Sequence, residues 1–212
     1  MFVIKKAALW LVLGRVSFVL VLVMSGAHFA IADGQSKCRE QFAEYFVDCT
    51  KLMGVKIHVT QAIKGGPTTE NWNYQAAPGH WMSEAIKPSG LPWSLVHNNT
   101  MFSSRDKGKS WQKIRTLDSA QRAEDVAANL KATLATVTDV ACGTEELNGV
   151  PHRKLSASYK MLKYAIEHRD TYWIKSDSGW MTKAITSTKG KGYQMSVTQR
   201  IEPAPKLKLP TP

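Results

Sequence analysis

Apolar positions recur along this chain with two periods, and the period switches more than once. Phe42, Tyr45, Phe46, Cys49, Leu52 and Met53 recur at three- and four-residue spacing, which predicts an amphipathic helix over Ser36–Met53. Gly54 supplies its stop. Alternation then takes over. Val55, Ile57, Val59 and Ile63 alternate with Lys56, His58 and Thr60, the pattern of a strand buried on one face. Gly65-Gly66-Pro67 breaks the chain, and Trp72 and Tyr74 alternate with Asn71, Asn73 and Gln75 in a second strand. Pro78-Gly79 turns into a third, His80–Ile86. After Pro88-Ser89-Gly90-Leu91-Pro92, the stretch Trp93–Leu117 reads as three short strands with turns at Asn98-Asn99 and Asp106-Lys107-Gly108.

Asp118–Val137 interrupts the meander. It is rich in Ala, and Ala123, Val126, Ala127, Leu130, Leu134 and Val137 share one helical face, with Asp118 and Gln121 at capping-box spacing. Cys142-Gly143 then reads as the join between this helix and a new run of strands. Thr144–Leu147 meets the hairpin signal Asn148-Gly149, and Val150–Tyr159 follows. Tyr164–Lys175 and Trp180–Thr188 flank Asp177-Ser178-Gly179, and Tyr193–Ile201 is the last strand. Two helices are too few to cover both faces of a parallel sheet. The expected fold is therefore α+β: a large curled antiparallel sheet of about 10–11 strands, a half-barrel, with two main helices packed on one face.

Both ends of the chain depart from this pattern. Lys5, Lys6 and Arg15 precede the apolar run Val16–Met24, and Ala30-Ile31-Ala32 offers a small-x-small cleavage site before Asp33. Residues 1–32 read as a signal peptide, which makes the protein exported, periplasmic or secreted. A retained anchor fits less well, because the clean run is about half of the ~20 residues a span needs. No small-residue–Cys lipidation site follows, since Gln35-Ser36-Lys37 precede Cys38. The mature chain is expected to form one domain over residues 33–202. Residues 203–212 form a Pro-rich extended tail.

Charge and cysteines add compartment and partners. The full chain carries 28 Lys and Arg against 17 Asp and Glu, a net +11. Losing Lys5, Lys6 and Arg15 leaves 25 against 17, about +8. The basic residues are scattered, as at Lys107, Lys113, Lys154, Lys163, Lys183 and Lys191. They predict a solvated basic surface able to meet an anionic envelope surface, and no nucleic-acid motif accompanies them. Three cysteines in an oxidising compartment permit one disulfide. Cys49 lies inside the first helix, so pairing it with Cys38 would break that helix. Cys38–Cys142 is the expected bridge, with Cys49 a small apolar packer.

Candidate chemistry is sparse. His58, His80, His97, His152 and His168 all fall on predicted strands, none in a metal-ligand spacing. No nucleophile elbow, phosphate loop or dinucleotide fingerprint is present, and no facing carboxylate pair can be named, so no catalytic residue, cofactor or metal is expected. Asn98-Asn99-Thr100 has the form of a glycosylation sequon but reads as a turn. The unusual supply is of Trp and Met. Most of the Trp residues should be core, while Trp72, Trp81, Met82, Trp93, Met101, Trp173 and Trp180 form the candidate ligand groove, apolar and adaptable.

Three local pieces resemble the periplasmic lipoprotein carriers of the LolA-like family. They are the Val-x-Ile-x-Val-x-Gln strand Val55–Gln61, the hairpin Asn148-Gly149-Val150-Pro151, and Tyr172-Trp173-Ile174-Lys175-Ser176-Asp177-Ser178-Gly179-Trp180. The last is similar to the family's Y-x-W-I-D-x-x-T-G-L-P strand–turn–strand. The chain also resembles a group of small uncharacterised exported bacterial proteins. The carrier resemblance implies an acyl-binding groove and a lipid or lipoprotein ligand, although no arginine here matches the one that gates the carriers' groove. Separately, Ser104-Arg105-Asp106-Lys107-Gly108-Lys109-Ser110-Trp111 is similar to the Asp-box of sialidases, S-x-D-x-G-x-[ST]-W. That resemblance implies a structural turn: Ser104 and Asp106 bonding within it, Gly108 at positive φ, and Trp111 packed beneath. The expected function is a binding or carrier protein for a hydrophobic small molecule, lipid or lipoprotein. The alternative is a non-catalytic interaction protein that meets anionic envelope partners through its basic surface. No stable membrane span is expected after cleavage.

Overall fold

The computed structural model describes residues 34–47, 52–161 and 164–212. The expected leader, its cleavage site at Ala30 and Ala32, and Cys49 lie outside them. The chain opens with helix α1 (34–47) and enters a six-stranded meander: β1 (Val55–Ile63), β2 (Thr68–Ala77), β3 (His80–Lys87), β4 (Trp93–His97), β5 (Thr100–Ser104) and β6 (Gln112–Thr116). Helix α2 (Ser119–Leu134) separates it from a five-stranded meander: β7 (Thr138–Leu147), β8 (Val150–Met161), β9 (Ile166–Lys175), β10 (Met181–Gly190) and β11 (Tyr193–Pro203). Helix, six strands, helix, five strands is the order the hydrophobic pattern predicts.

All eleven strands join one antiparallel sheet in the order β6-β5-β4-β3-β2-β1-β11-β10-β9-β8-β7. The two meanders meet where the first strand pairs with the last, Ile57 opposite Ile201. The sheet stays open, with β6 and β7 at its edges, an α+β architecture of the half-barrel kind. Consecutive Asn98 and Asn99 at φ 47° and 56°, and Asn148 and Gly149 at 52° and 77°, give hairpin turns whose twist matches that of the strands.

Register assigns each side chain to a face. One face carries Val55, Ile57 and Val59 of β1, Ile201 of β11, Ala184 of β10, Tyr172 and Ile174 of β9, and Leu155, Ala157 and Tyr159 of β8; together they form the core. Helix α1 lies on this helix face. Phe42 is fully buried, its ring centroid 5.4 Å from that of Tyr172, and Phe46 meets Tyr159 edge-on at 5.1 Å. Cys38 of α1 is bonded to Cys142, their Cα atoms 5.7 Å apart, which ties the helix to the edge of the sheet. Arg153 reinforces the tie by donating to the Tyr45 hydroxyl at 2.9 Å.

Two expectations need correction. Strand β7 begins at Thr138, so Cys142 lies within a strand rather than between helix and strand; a bulge between Thr138 and Ala141 absorbs the turn from α2. The apolar stripe of α2 is not buried along its length. Thr133, Leu134 and Val137 seat its C-terminal end on the core, while Val126 remains 42% exposed. The start of the expected tail contacts the domain. The Ala204 amide donates to the Gly54 carbonyl at 2.6 Å, and β11 itself runs to Pro203. Among the described residues no helix is long and apolar enough to cross a membrane.

Candidate functional site

Antiparallel pairing brings six strand ends to one edge of the sheet: the ends of β1, β8 and β10 and the starts of β7, β9 and β11. A cleft of about 640 Å³ opens there. Its apolar lining comes from Ala62, Ile63, Tyr159 and Met195, and Ile63 and Met195 are direct cross-strand partners. Lys64, Lys160, Arg169 and Lys189 also border it, with Asp139 and Glu167, and register turns Lys160, Glu167, Arg169 and Lys189 to the face opposite Tyr159, His168, Thr188 and Met195. Lys160 is shared with Glu167 at 3.7 Å, and Arg169 donates to Ser158 and Ser156. Asp139 sits at φ 50° in the β7 bulge, a left-handed conformation that Asp tolerates better than most residues and that redirects its side chain.

One wall of the cleft is a polar network inside an apolar frame. The His168 ring stacks on Tyr159 with centroids 5.1 Å apart, and its Nδ1 lies 3.1 Å from the Thr188 hydroxyl. Behind them Asp170, 4% exposed, accepts hydrogen bonds from the Tyr159 and Tyr172 hydroxyls at 3.1 and 2.8 Å, both to Oδ2. Burial pushes the His168 pKa below its ordinary value, opposed in part by the charge of Asp170, so the imidazole is neutral at pH 7. Among the described residues, His168 Nε2 and Asp170 Oδ1 are buried without a hydrogen-bond partner. A neutral imidazole with hydroxyls beside an apolar lining can orient the polar end of a ligand whose bulk is apolar. No group of three or more His, Cys, Asp and Glu side chains that could hold a metal ion occurs among the described residues.

The structure does not bring the seven Trp and Met residues of the predicted groove together. None lines the cleft. Trp81 and Met101 both neighbour Val96 in register on the helix face. Met82 and Trp93 point to the opposite face, termed open because α1 does not lie on it, where Met82 and its partner Leu95 are nonetheless buried. Trp72 and Trp173 are also on the open face: Lys56 and His58 lie against Trp72, and Lys154 and Lys183 lie over Trp173. Trp180 packs at the margin of the core beside α1. The residues that do line the cleft carried no sequence signal beyond their place at strand ends, because only register shows that six separate ends converge.

The turn after β5 is closed by its own side chains. Ser104 donates to Asp106 Oδ1 at 2.7 Å while its hydroxyl accepts from the Gly108 amide at 2.7 Å. The Ser110 amide and hydroxyl donate to the same carboxylate at 2.9 and 2.5 Å. Gly108 is required twice over: its φ is +84°, and a Cβ would come within 3.2 Å of the Trp93 ring, with Trp111 just beyond. Hydrogen bonds from Ser110, then Ser104, hold the Asp106 carboxyl well below the usual carboxylate range. A lowered folded-state pKa contributes stability above the unfolded value of about 4, lost as pH falls through it toward the folded value. Asp106→Asn is thus expected to melt earlier than the wild type at pH 7, with the gap narrowing below about pH 4 but still open at pH 3, in thermal melts by circular dichroism.

No protein-family model matches the chain, and no curated protein matches it. Among solved structures the chain is similar to a LolA superfamily protein from Nitrosomonas europaea, at 7% identity and a TM-score of 0.29 over 74% of this chain and 86% of that one. It is also similar to a DUF1329 family protein from Desulfovibrio piger, at 10% identity and a TM-score of 0.33 over 82% of this chain and 95% of that one.

Proposed function

We propose that this chain is a binding or carrier protein for an amphipathic ligand of the lipid class, held in the cleft at the β1–β11–β10–β9–β8 edge. The carrying observation is the composition of that cleft. An apolar lining of Ile63, Tyr159 and Met195 lies at strand ends that also carry Lys64, Lys160, Arg169 and Lys189. Its 640 Å³ lies inside the ~300–1,000 Å³ typical of small-molecule sites. An acyl chain gains free energy by covering the lining, and an anionic head group gains it from the rim. The neutral His168 and the Thr188 hydroxyl offer hydrogen bonds between the two regions. Export through the leader would put such a protein among envelope lipids, and the local resemblance to lipoprotein carriers points the same way.

Titration with a fluorescent fatty acid such as cis-parinaric acid tests the reading. Saturable binding at one site per chain is expected. Met195→Glu, which sets a carboxylate in the half-buried lining, is expected to weaken it by about tenfold or more, since an unpaired buried charge costs upward of 1.4 kcal/mol. Linear, unsaturable uptake, or unchanged affinity in a folded Met195→Glu protein, would remove the basis for the proposal.

A further inference from the structure

We propose that the open face of the sheet is a docking surface for a linear acidic polysaccharide, lying across the strands on a transverse row of cationic and aromatic side chains. The row follows from register. Trp72 pairs with His58, His58 with Arg200, Arg200 with Lys183, Lys183 with Trp173, and Trp173 with Lys154. Six neighbouring strands thus each contribute one side chain at the same height on the same face. At the ~4.8 Å spacing of paired strands, five intervals make a track of roughly 24 Å. No single segment of sequence contains it.

The tryptophans act as pedestals. Lys183 Nζ lies 4.4 Å and Lys154 Nζ 5.4 Å from the Trp173 ring centroid, and Lys56 Nζ lies 5.1 Å from that of Trp72. An ammonium held over an indole face loses less side-chain freedom when it meets an anion than one on a bare stem. The charge at the centre of the row is not neutralised by direct ion pairs, although Glu145 feels the charge of Lys183. Among the described residues neither Arg200 nor Lys183 has a carboxylate within 4.0 Å, and Arg200 is exposed. The acids of this face are already engaged: Glu145 with Lys154 at 2.6 Å, Glu202 with Lys56 at 2.8 Å, Glu70 with Lys87 and His58, and Glu84 with the Tyr74 hydroxyl.

The same geometry selects among polyanions. Trp173 is 5% exposed, and the large exposed apolar residues, such as Leu91, Ile114 and Tyr193, are not in the row, so it has nothing to insert into a bilayer. Its aromatic faces are covered by lysines and are not available to stack on bases, and the Cys38–Cys142 bridge belongs to an oxidising compartment without nucleic acid. A carboxylated polysaccharide needs only a line of fixed cations. None of the six row residues lines the cleft.

The test is binding of polygalacturonate at low salt, with neutral dextran as control, to the wild type, to Arg200→Gln/Lys183→Gln and to Lys107→Gln/Lys191→Gln. The last pair removes the same charge from exposed turns outside the row. The row variant is expected to lose about tenfold or more in affinity and to shallow the salt dependence, while the turn variant stays within about twofold of wild type. Arg200→Gln alone, at an exposed site, repeats the test if the double variant unfolds. Equal losses in both pairs would reduce the effect to general charge attraction. Absence of polygalacturonate binding, or row-dependent binding to phosphatidylglycerol vesicles in its place, would equally overturn the proposal.

Discussion

Replacing Cys142 with serine is expected to lower the free energy of unfolding by roughly 2–5 kcal/mol, the range for loss of a native disulfide. The bridge to Cys38 spans 104 residues, so it closes almost the whole described chain between α1 and β7. Loops of this length are where the chain-entropy gain is largest, near ~4.7 kcal/mol in that account. The consequence is local as well as global. Without the bridge, α1 keeps the packing of Phe42, Tyr45 and Phe46, and its N-terminal end should exchange amide hydrogens faster than the strands beneath it. Urea titration with hydrogen exchange checks both parts. Unchanged stability would mean that α1 docks without help from its tether.

The second large effect is expected from Phe42→Ala, at about 3–5 kcal/mol. Phe42 has no exposed surface and stands between Phe46 and Tyr172, with centroids 5.9 and 5.4 Å away. Truncation leaves a cavity between a helix and a sheet that cannot close without moving α1. Because the bridge and the aromatic ring hold the same helix, the double variant should lose less than the sum of the two single losses. This matters for ligand. Phe46 of α1 packs edge-on against Tyr159, whose other neighbour, His168, stands at the cleft. Loosening α1 should therefore weaken ligand binding at temperatures where the sheet remains folded. A free energy of unfolding lowered by less than ~1 kcal/mol would show that the α1 contact is weaker than its burial implies.

The architecture was largely legible in the chain because each half repeats one simple signal. Val55, Ile57 and Val59 alternate with polar residues and do turn one way, into the core. Asn98-Asn99 and Asn148-Gly149 make the hairpins their composition predicts, and Cys38 meets Cys142. The faces of the aromatic residues were not legible. In β2 the alternation of Trp72 and Tyr74 with Asn71, Asn73 and Gln75 suggests that the rings face the core, yet they face away from it. A tryptophan can be covered on an open face by the aliphatic stems of lysines as well as by a core, and Lys56, Lys154 and Lys183 provide that cover. Hydrophobic pattern cannot separate the two environments. The cleft was hidden for a different reason. Ile63, Tyr159, His168, Thr188 and Met195 lie up to 132 residues apart and converge only through the pairing of β1 with β11 and its neighbours. α2 shows the converse limit: a correct helical period, with a stripe that the described chain buries only near Leu134.

The claim that the cleft holds an amphipathic ligand is tested most directly by mass spectrometry of organic extracts from the natively purified protein, beside Met195→Glu prepared in parallel. A lipid-class molecule is expected near one per chain from the wild type and strongly depleted from the folded variant. Wild-type protein that carries no such molecule, or a variant that carries as much, would contradict it.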